Sequence, residues 1–128
     1  GFSELLLKKT NSLADINRLG QKSIDTPAEE IAQDSLLKFM ATQNGPLWYR
    51  GYFDKEQVTK QNANSILKKL GKKHIIVGHT SHDAIVSLFG NKIIGVDSKI
   101  KFGKQGEILI VDRGEFYRGT VQGERIKL

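Results

Sequence analysis

The chain has 128 residues, with 20 Lys+Arg against 14 Asp+Glu, a net charge of +6 and a pI near 9.6. At 38% hydrophobic and 27% charged residues it reads as one water-folded domain, or one piece of a domain. The absence of cysteine excludes disulfides, thiolate metal sites and a thiol nucleophile, and no apolar run approaches the ~20 residues of a membrane helix.

The opening Gly1-Phe2-Ser3-Glu4-Leu5-Leu6-Leu7-Lys8-Lys9 lacks the basic-then-apolar order of a signal peptide, and it lacks an initiator Met. The chain therefore reads as processed or trimmed. The cytoplasm is the favoured compartment, with the periplasm open if a signal lies upstream. Lys8-Lys9, Lys68-Lys69, Lys72-Lys73, Lys99, Lys101 and Lys104 are spread along the chain. Spread charge suits a solvated surface better than a formed nucleic-acid groove.

In chain order, Ser12 caps a helix through Leu13, Ile16 and Leu19, with Asp15 near its start and Gly20 as its stop. Thr26-Pro27-Ala28-Glu29 is a capping box with Pro at the first helical position. The helix it opens carries Ile31, Leu36, Leu37, Phe39 and Met40 and ends before Asn44-Gly45-Pro46. Residues 44–53 read as an irregular aromatic loop. A third helix covers Lys55 to Leu70, with Gly71 as its stop.

From Lys73 the pattern changes to short strands. His74–Val77 is a continuous apolar run, as in a strand covered on both faces. Ala84–Phe89 and Lys92–Val96 form a hairpin around Gly90-Asn91. Glu107–Val111, Phe116–Val121 and Arg125–Leu128 are further strands. Helices followed by a mixed, mostly antiparallel sheet make the class α+β. The division is a helical part, 1–71, with loop 44–53, and a strand-rich part, 72–128.

Two stretches carry chemistry. In Ile75-Ile76-Val77-Gly78-His79-Thr80 an apolar strand ends in Gly and presents an imidazole, which suits a Zn, Mn or Fe ligand. On spacing alone, a loop histidine without chemistry is the more economical reading of His79. Thr80 orients neighbours; His82, one position late for a Gly-His-x-His pair, reads as a surface or supporting residue. His74 reads as an ordinary edge or core histidine. Asp97 closes its strand and either orients a histidine or makes a turn. In Gly45-Pro46-Leu47-Trp48-Tyr49-Arg50-Gly51-Tyr52, Arg50 is placed for phosphate, supported by Trp48, Tyr49, Tyr52 and Phe53. A hydrophobic plug with Arg50 at its rim suits that composition equally well. Asp112-Arg113-Gly114 reads as a turn.

Taken in order, Gly45–Tyr52, Ile75–Thr80 and Ile93-Ile94-Gly95-Val96-Asp97-Ser98 resemble the C-terminal half of calcineurin-like metallophosphoesterases, closest to the bacterial Shewanella-like protein phosphatase branch. Gly1-Phe2-Ser3 resembles the residues just after that family's histidine in its His-Gly-Gly or His-Ala-Gly motif. The resemblance covers essentially the whole chain. It implies part of a four-layer αββα sandwich and a dinuclear centre of two divalent ions (Mn, Fe or Zn). His79 corresponds to the last metal ligand and Arg50 to the phosphate-holding arginine, with Thr80, His82 and Asp97 behind them. Ser81 in place of a second histidine suits the phosphoprotein phosphatase branch. The family's other metal motifs are absent from this chain.

The function so implied is a serine/threonine-type protein phosphatase, a manganese-class hydrolase acting by metal-activated hydroxide. This chain would be a C-terminal fragment, inactive alone, holding no metal or one weakly bound ion. Its partners would be a phosphorylated protein or small phosphoester and the missing N-terminal half, with self-association covering bare sheet. Nucleic acid is not favoured. The alternatives are symmetrical dinucleoside tetraphosphate hydrolysis and a basic phosphate- or nucleic-acid-binding module.

Overall fold

The computed structural model describes residues 1–54, 58–103 and 106–128. These form two compact units, Gly1–Lys72 and Lys73–Leu128.

The first unit is helical. Ser3 opens α1 (Glu4–Lys9) by accepting the Leu6 N–H at 3.0 Å. No helix is expected there from periodicity, since α1 is under two turns long; its cap and buried Leu6 and Leu7 sustain it. Ser12 caps α2 (Leu13–Asp25), accepting from the Asp15 N–H at 3.1 Å. Gly20, expected to end this helix, lies inside it. A glycine there costs about 1 kcal/mol, and burial of Ile16 and Leu19 outweighs that.

The single helix expected after Thr26 is two. Pro27 precedes a one-turn α3 (Ala28–Ile31) without any side-chain cap, so the Thr26 capping box does not form. Asp34 then starts α4 (Ser35–Met40), accepting from Leu36 and Leu37 N–H at 2.9 and 3.1 Å. The two amides pull its carboxyl below the ordinary carboxylate range. Asp34 thus competes successfully as a cap inside what reads as one amphipathic run.

The last helix of this unit, α5 (Lys60–Leu70), has a complete capping box. Thr59 N–H donates to Asn62 Oδ1 at 3.0 Å, and Asn62 N–H donates back to Thr59 Oγ1 at 3.3 Å. The expected start at Lys55 lies outside the described residues. Gly71 ends the helix in a left-handed conformation (φ 61°), and Lys72 N–H reaches Leu67 O at 3.0 Å. The unit's core is Leu6, Leu7, Ile16, Leu19, Leu37, Met40, Tyr52, Val58, Ala63, Ile66 and Leu67.

The second unit holds two three-stranded sheets. In one, β1 (Ile75–Val77) runs parallel to β3 (Ile93–Gly95), and β2 (Val86–Leu88) runs antiparallel to β3, giving the order β1-β3-β2. In the other, β4 (Glu107–Asp112), β5 (Glu115–Thr120) and β6 (Arg125–Lys127) form an antiparallel meander. Ile85, Ile94 and Phe116 form the unit's core, with Val96, Leu109 and Leu128 against it. Glu107 ties the sheets together: one carboxylate oxygen accepts the Ile85 N–H at 2.8 Å and the other meets Arg118 Nη1 at 3.2 Å.

The α+β class holds. The four-layer αββα sandwich is corrected: the described residues form five helices in one unit and two small, mostly antiparallel sheets in the other. Ile76 is 50% exposed, so β1 is not covered on both faces within its unit. Arg113 and Gly114 both have positive φ and join β4 to β5 as a two-residue hairpin turn. Among the described residues no helix is long and apolar enough to cross a membrane.

Candidate functional site

The loop after α4 is built around Tyr49 and Tyr52. Tyr52 is buried, and its hydroxyl is gripped by one residue's backbone: it accepts the Phe2 N–H at 2.7 Å and donates to the Phe2 carbonyl at 2.8 Å. Ser3 Oγ donates to Asn44 O at 2.7 Å, so residues 2–3 hold both ends of the loop. The rings of Tyr49 and Tyr52 meet edge to face, 5.1 Å apart. A Cβ at Gly51 would lie 2.6 Å from Tyr49 Cζ, so a larger residue there would push that ring aside.

Burial pushes the Tyr49 hydroxyl above its usual range, reinforced by the charges of Glu4 and Asp54. Burial pushes Tyr52 up more strongly, against a smaller opposing pull from the Phe2 backbone bond. Both phenols therefore stay neutral and serve as scaffold at ordinary pH.

On this scaffold Arg50 is exposed. Its Nη1 donates to Trp48 O at 2.9 Å, and its guanidinium lies 5.5 Å from the centre of the Trp48 ring. Ala41, Gln43, Asn44, Trp48, Tyr49, Arg50, Gly51 and Asp54 line one cleft of about 610 Å³. A guanidinium with one edge tethered and the rest facing a cleft can take an anion by two parallel N–H bonds. The plug reading of this loop is met halfway: Tyr52 is buried, while Trp48 is 48% exposed.

His79, Thr80, His82 and Asp97 belong to the second unit. Gly78 ends β1, and His79 follows, exposed and at φ 73°. A positive φ is uncommon outside glycine, although histidine is among the residues that tolerate it. The next turn is tied to the end of β3. Ser81 Oγ donates to Asp97 Oδ2 at 3.0 Å, His82 N–H donates to Asp97 O at 2.8 Å, and Lys99 N–H donates to Asp97 Oδ1 at 3.2 Å. Lys99 also pairs with Asp83. Asp97 thus ties down the turn that follows His79 and Thr80, through Ser81 and the His82 backbone. Ser81 carries the tie, and nothing in the spacing marked it. Asp54, Gln43 and Asn44 were also missed as cleft residues; their only signal is that they flank the aromatic run.

No family model and no curated protein matches the chain. Solved structures do. The crystal structure of the cold-active protein tyrosine phosphatase of the psychrophile Shewanella sp. matches with 38% identity and a TM-score of 0.92. Another structure of cold-active protein tyrosine phosphatase and one of a point mutant match equally well. Each match covers 100% of this chain and 38% of the other. This chain therefore spans well under half the length of the structures it matches.

These matches correct the functional expectation. The structural neighbours are phosphatases, named for tyrosine, which replaces the calcineurin-like metallophosphoesterase of the serine/threonine branch. Neither symmetrical dinucleoside tetraphosphate hydrolysis nor a basic binding module finds support in them. The pair of Mn, Fe or Zn ions is corrected as well. No group of three or more His, Asp or Glu able to hold a metal occurs among the described residues. His79 alone does not make such a centre.

Proposed function

We propose that this chain is part of a phosphoric monoester hydrolase acting on phosphotyrosyl proteins, and that Arg50 receives the phosphate. The observation that carries this reading is the cleft itself: an exposed guanidinium held between a buried tyrosine scaffold and an exposed indole. The 38% identity over the whole chain to protein tyrosine phosphatases supports it.

Phosphoryl transfer needs positioning and charge neutralisation above all. Arg50 binds equatorial phosphate oxygens and neutralises charge as it builds in the transition state. The chain has no cysteine, so no cysteinyl-phosphate forms on it. Its contribution is binding and electrostatics. The loop of His79, Thr80, His82 and Asp97 is the second contribution. It presents an imidazole at a strand end, at a φ of 73°, and an imidazole there can hold or pass a proton.

The test is the hydrolysis of matched phosphotyrosyl and phosphoseryl peptides by the enzyme containing this chain, with and without Arg50→Ala. Preference for phosphotyrosine and a rate loss of about 10²-fold or more in the variant are expected. Equal rates for wild type and variant would remove Arg50 from the site.

A further inference from the structure

Ser3 makes one more bond than a helix start needs. An N-cap has only to accept, and Asp34 does so for α4 with a carboxylate that has no proton to give. Ser3 accepts the Leu6 N–H at 3.0 Å in the same way. Its hydroxyl proton goes elsewhere, to the Asn44 carbonyl at 2.7 Å, 41 positions along the chain. The residue is 3% exposed, so water competes little for that proton.

Asn44 is where the Arg50 loop begins. Met40 ends α4, Gly45 N–H donates to Thr42 O at 2.9 Å, and Tyr49 N–H donates to Gly45 O at 3.1 Å. Past Arg50, Phe53 N–H donates to Arg50 O at 3.0 Å. Such local bonds shape a loop without fixing where it lies. Ties from distant residues do that: Ser3 at Asn44, and the Phe2 backbone at the Tyr52 hydroxyl. Arg50 lies between these two points, on a segment anchored at both sides to the start of α1.

We propose that Ser3 is a positioning residue for phosphate binding: its hydroxyl holds the Arg50 loop, through Asn44, in the shape that takes the anion. This rests on the reading of Arg50 as the phosphate-binding group. The tie lies inside the first unit and does not depend on what else faces the cleft. Without it the loop samples other positions, and the apparent affinity falls with the share of time spent in the competent one.

The experiment titrates the 128-residue chain with inorganic phosphate, follows the Arg50 side-chain Nε–H signal by nuclear magnetic resonance, and measures denaturant midpoints on the same proteins. Ser3→Ala should weaken phosphate binding roughly three- to tenfold, the range that one neutral hydrogen bond can carry. Ser3→Thr, which can make both bonds, should restore most of it. Ser3→Gly removes the tie but costs a helix start less than alanine does. It should weaken binding to the same degree with a smaller loss of stability, and it carries the test if circular dichroism shows Ser3→Ala unfolded. A residue that only caps α1 lowers the midpoint and leaves the affinity of the folded chain unchanged. Unchanged affinity in the folded deletion variants would therefore overturn this proposal and leave the Arg50 reading standing. Binding as weak in folded Ser3→Thr as in the deletion variants would also overturn it, because the hydroxyl would not be what counts. No phosphate binding by the wild-type chain, or binding that leaves the Arg50 signal in place, would overturn the Arg50 reading and this proposal with it.

Discussion

Arg50 is held twice by the residue two positions before it. Its Nη1 donates to the Trp48 carbonyl at 2.9 Å, and its guanidinium lies 5.5 Å from the centre of the Trp48 ring. A long, exposed cation ordinarily loses rotamer entropy when it grips a ligand. Local tethering removes part of that cost in advance. The consequence is a group poised for an anion on a loop whose own shape is set by Tyr52 and residues 2–3.

Arg50→Lys keeps the charge and removes the fork. Lysine cannot donate two parallel bonds in a fixed plane. The expected result is a fall of about 10²-fold in kcat/KM for a phosphotyrosyl peptide, with a melting temperature close to wild type. Steady-state kinetics and a thermal melt on the same preparation check both parts. Retained activity would mean that charge alone suffices.

Tyr52→Phe tests the scaffold. The hydroxyl satisfies both the N–H and the carbonyl of Phe2, so its loss should cost about 1–3 kcal/mol at neutral pH. The pH dependence comes from the direction of the shift. Burial raises the folded pKa of Tyr52 above its unfolded value. Its stabilisation is then fully present below the unfolded value near 10 and is lost as pH rises through 10 toward the folded pKa. Urea melts between pH 7 and pH 11 should show the gap between wild type and variant narrowing above pH 10. A constant gap would contradict this.

The first unit shows how far its elements could be read from the residues. Ser12 and Gly71 act as caps where their chemistry places them, whereas the Thr59–Asn62 capping box went unread. Gly20 and Asp34 mislead for opposite reasons. Tertiary burial carries α2 through Gly20, while a strong local cap at Asp34 breaks a run that its apolar periodicity would join. Strand pairs from Ala84 to Leu128 were legible because alternation and turn residues coincide at Gly90-Asn91 and Arg113-Gly114. The parallel pairing of β1 with β3 was not, because it depends on contacts distant in sequence.

The candidate site was legible in residue types but not in meaning. Trp48, Tyr49 and Arg50 stand out by chemistry, and the cleft gathers all three. His79 stands out by its strand end, yet the metal reading of it needs several convergent ligands, and the described residues do not supply them. Ser81, which ties the loop to Asp97, is invisible at the level of spacing because the bond spans sixteen positions of chain.

Glu107→Ala should destabilise the second unit through lost hydrogen bonds rather than lost packing. It strands the Ile85 N–H, whose residue is buried, and it removes the partner of Arg118. Leaving both unpaired should cost about 3 kcal/mol. Glu107→Gln keeps a carbonyl acceptor of the same shape and should cost clearly less. Denaturant midpoints for the two variants rank them. Equal midpoints would show that a neutral acceptor of the same shape contributes nothing there.

His79→Gly separates use from fold. Glycine accepts a φ of 73° without strain, but it also raises the entropy of the unfolded chain. These terms oppose each other and are of similar size, so stability should change by less than about 1 kcal/mol. If the imidazole handles a proton, activity should fall by about 10²-fold or more in the enzyme containing this chain. A melt and a rate measurement on one preparation decide the matter. Full activity would make His79 a loop residue without chemistry.

Binding of the substrate phosphate by Arg50 is tested most directly by a nuclear magnetic resonance titration of the arginine side-chain Nε–H signals with phenyl phosphate. The Arg50 signal should move and saturate, while Arg18, Arg113, Arg118 and Arg125 stay nearly fixed, and the response should vanish in Arg50→Lys. Movement of all five together, or of any but Arg50, would contradict the claim.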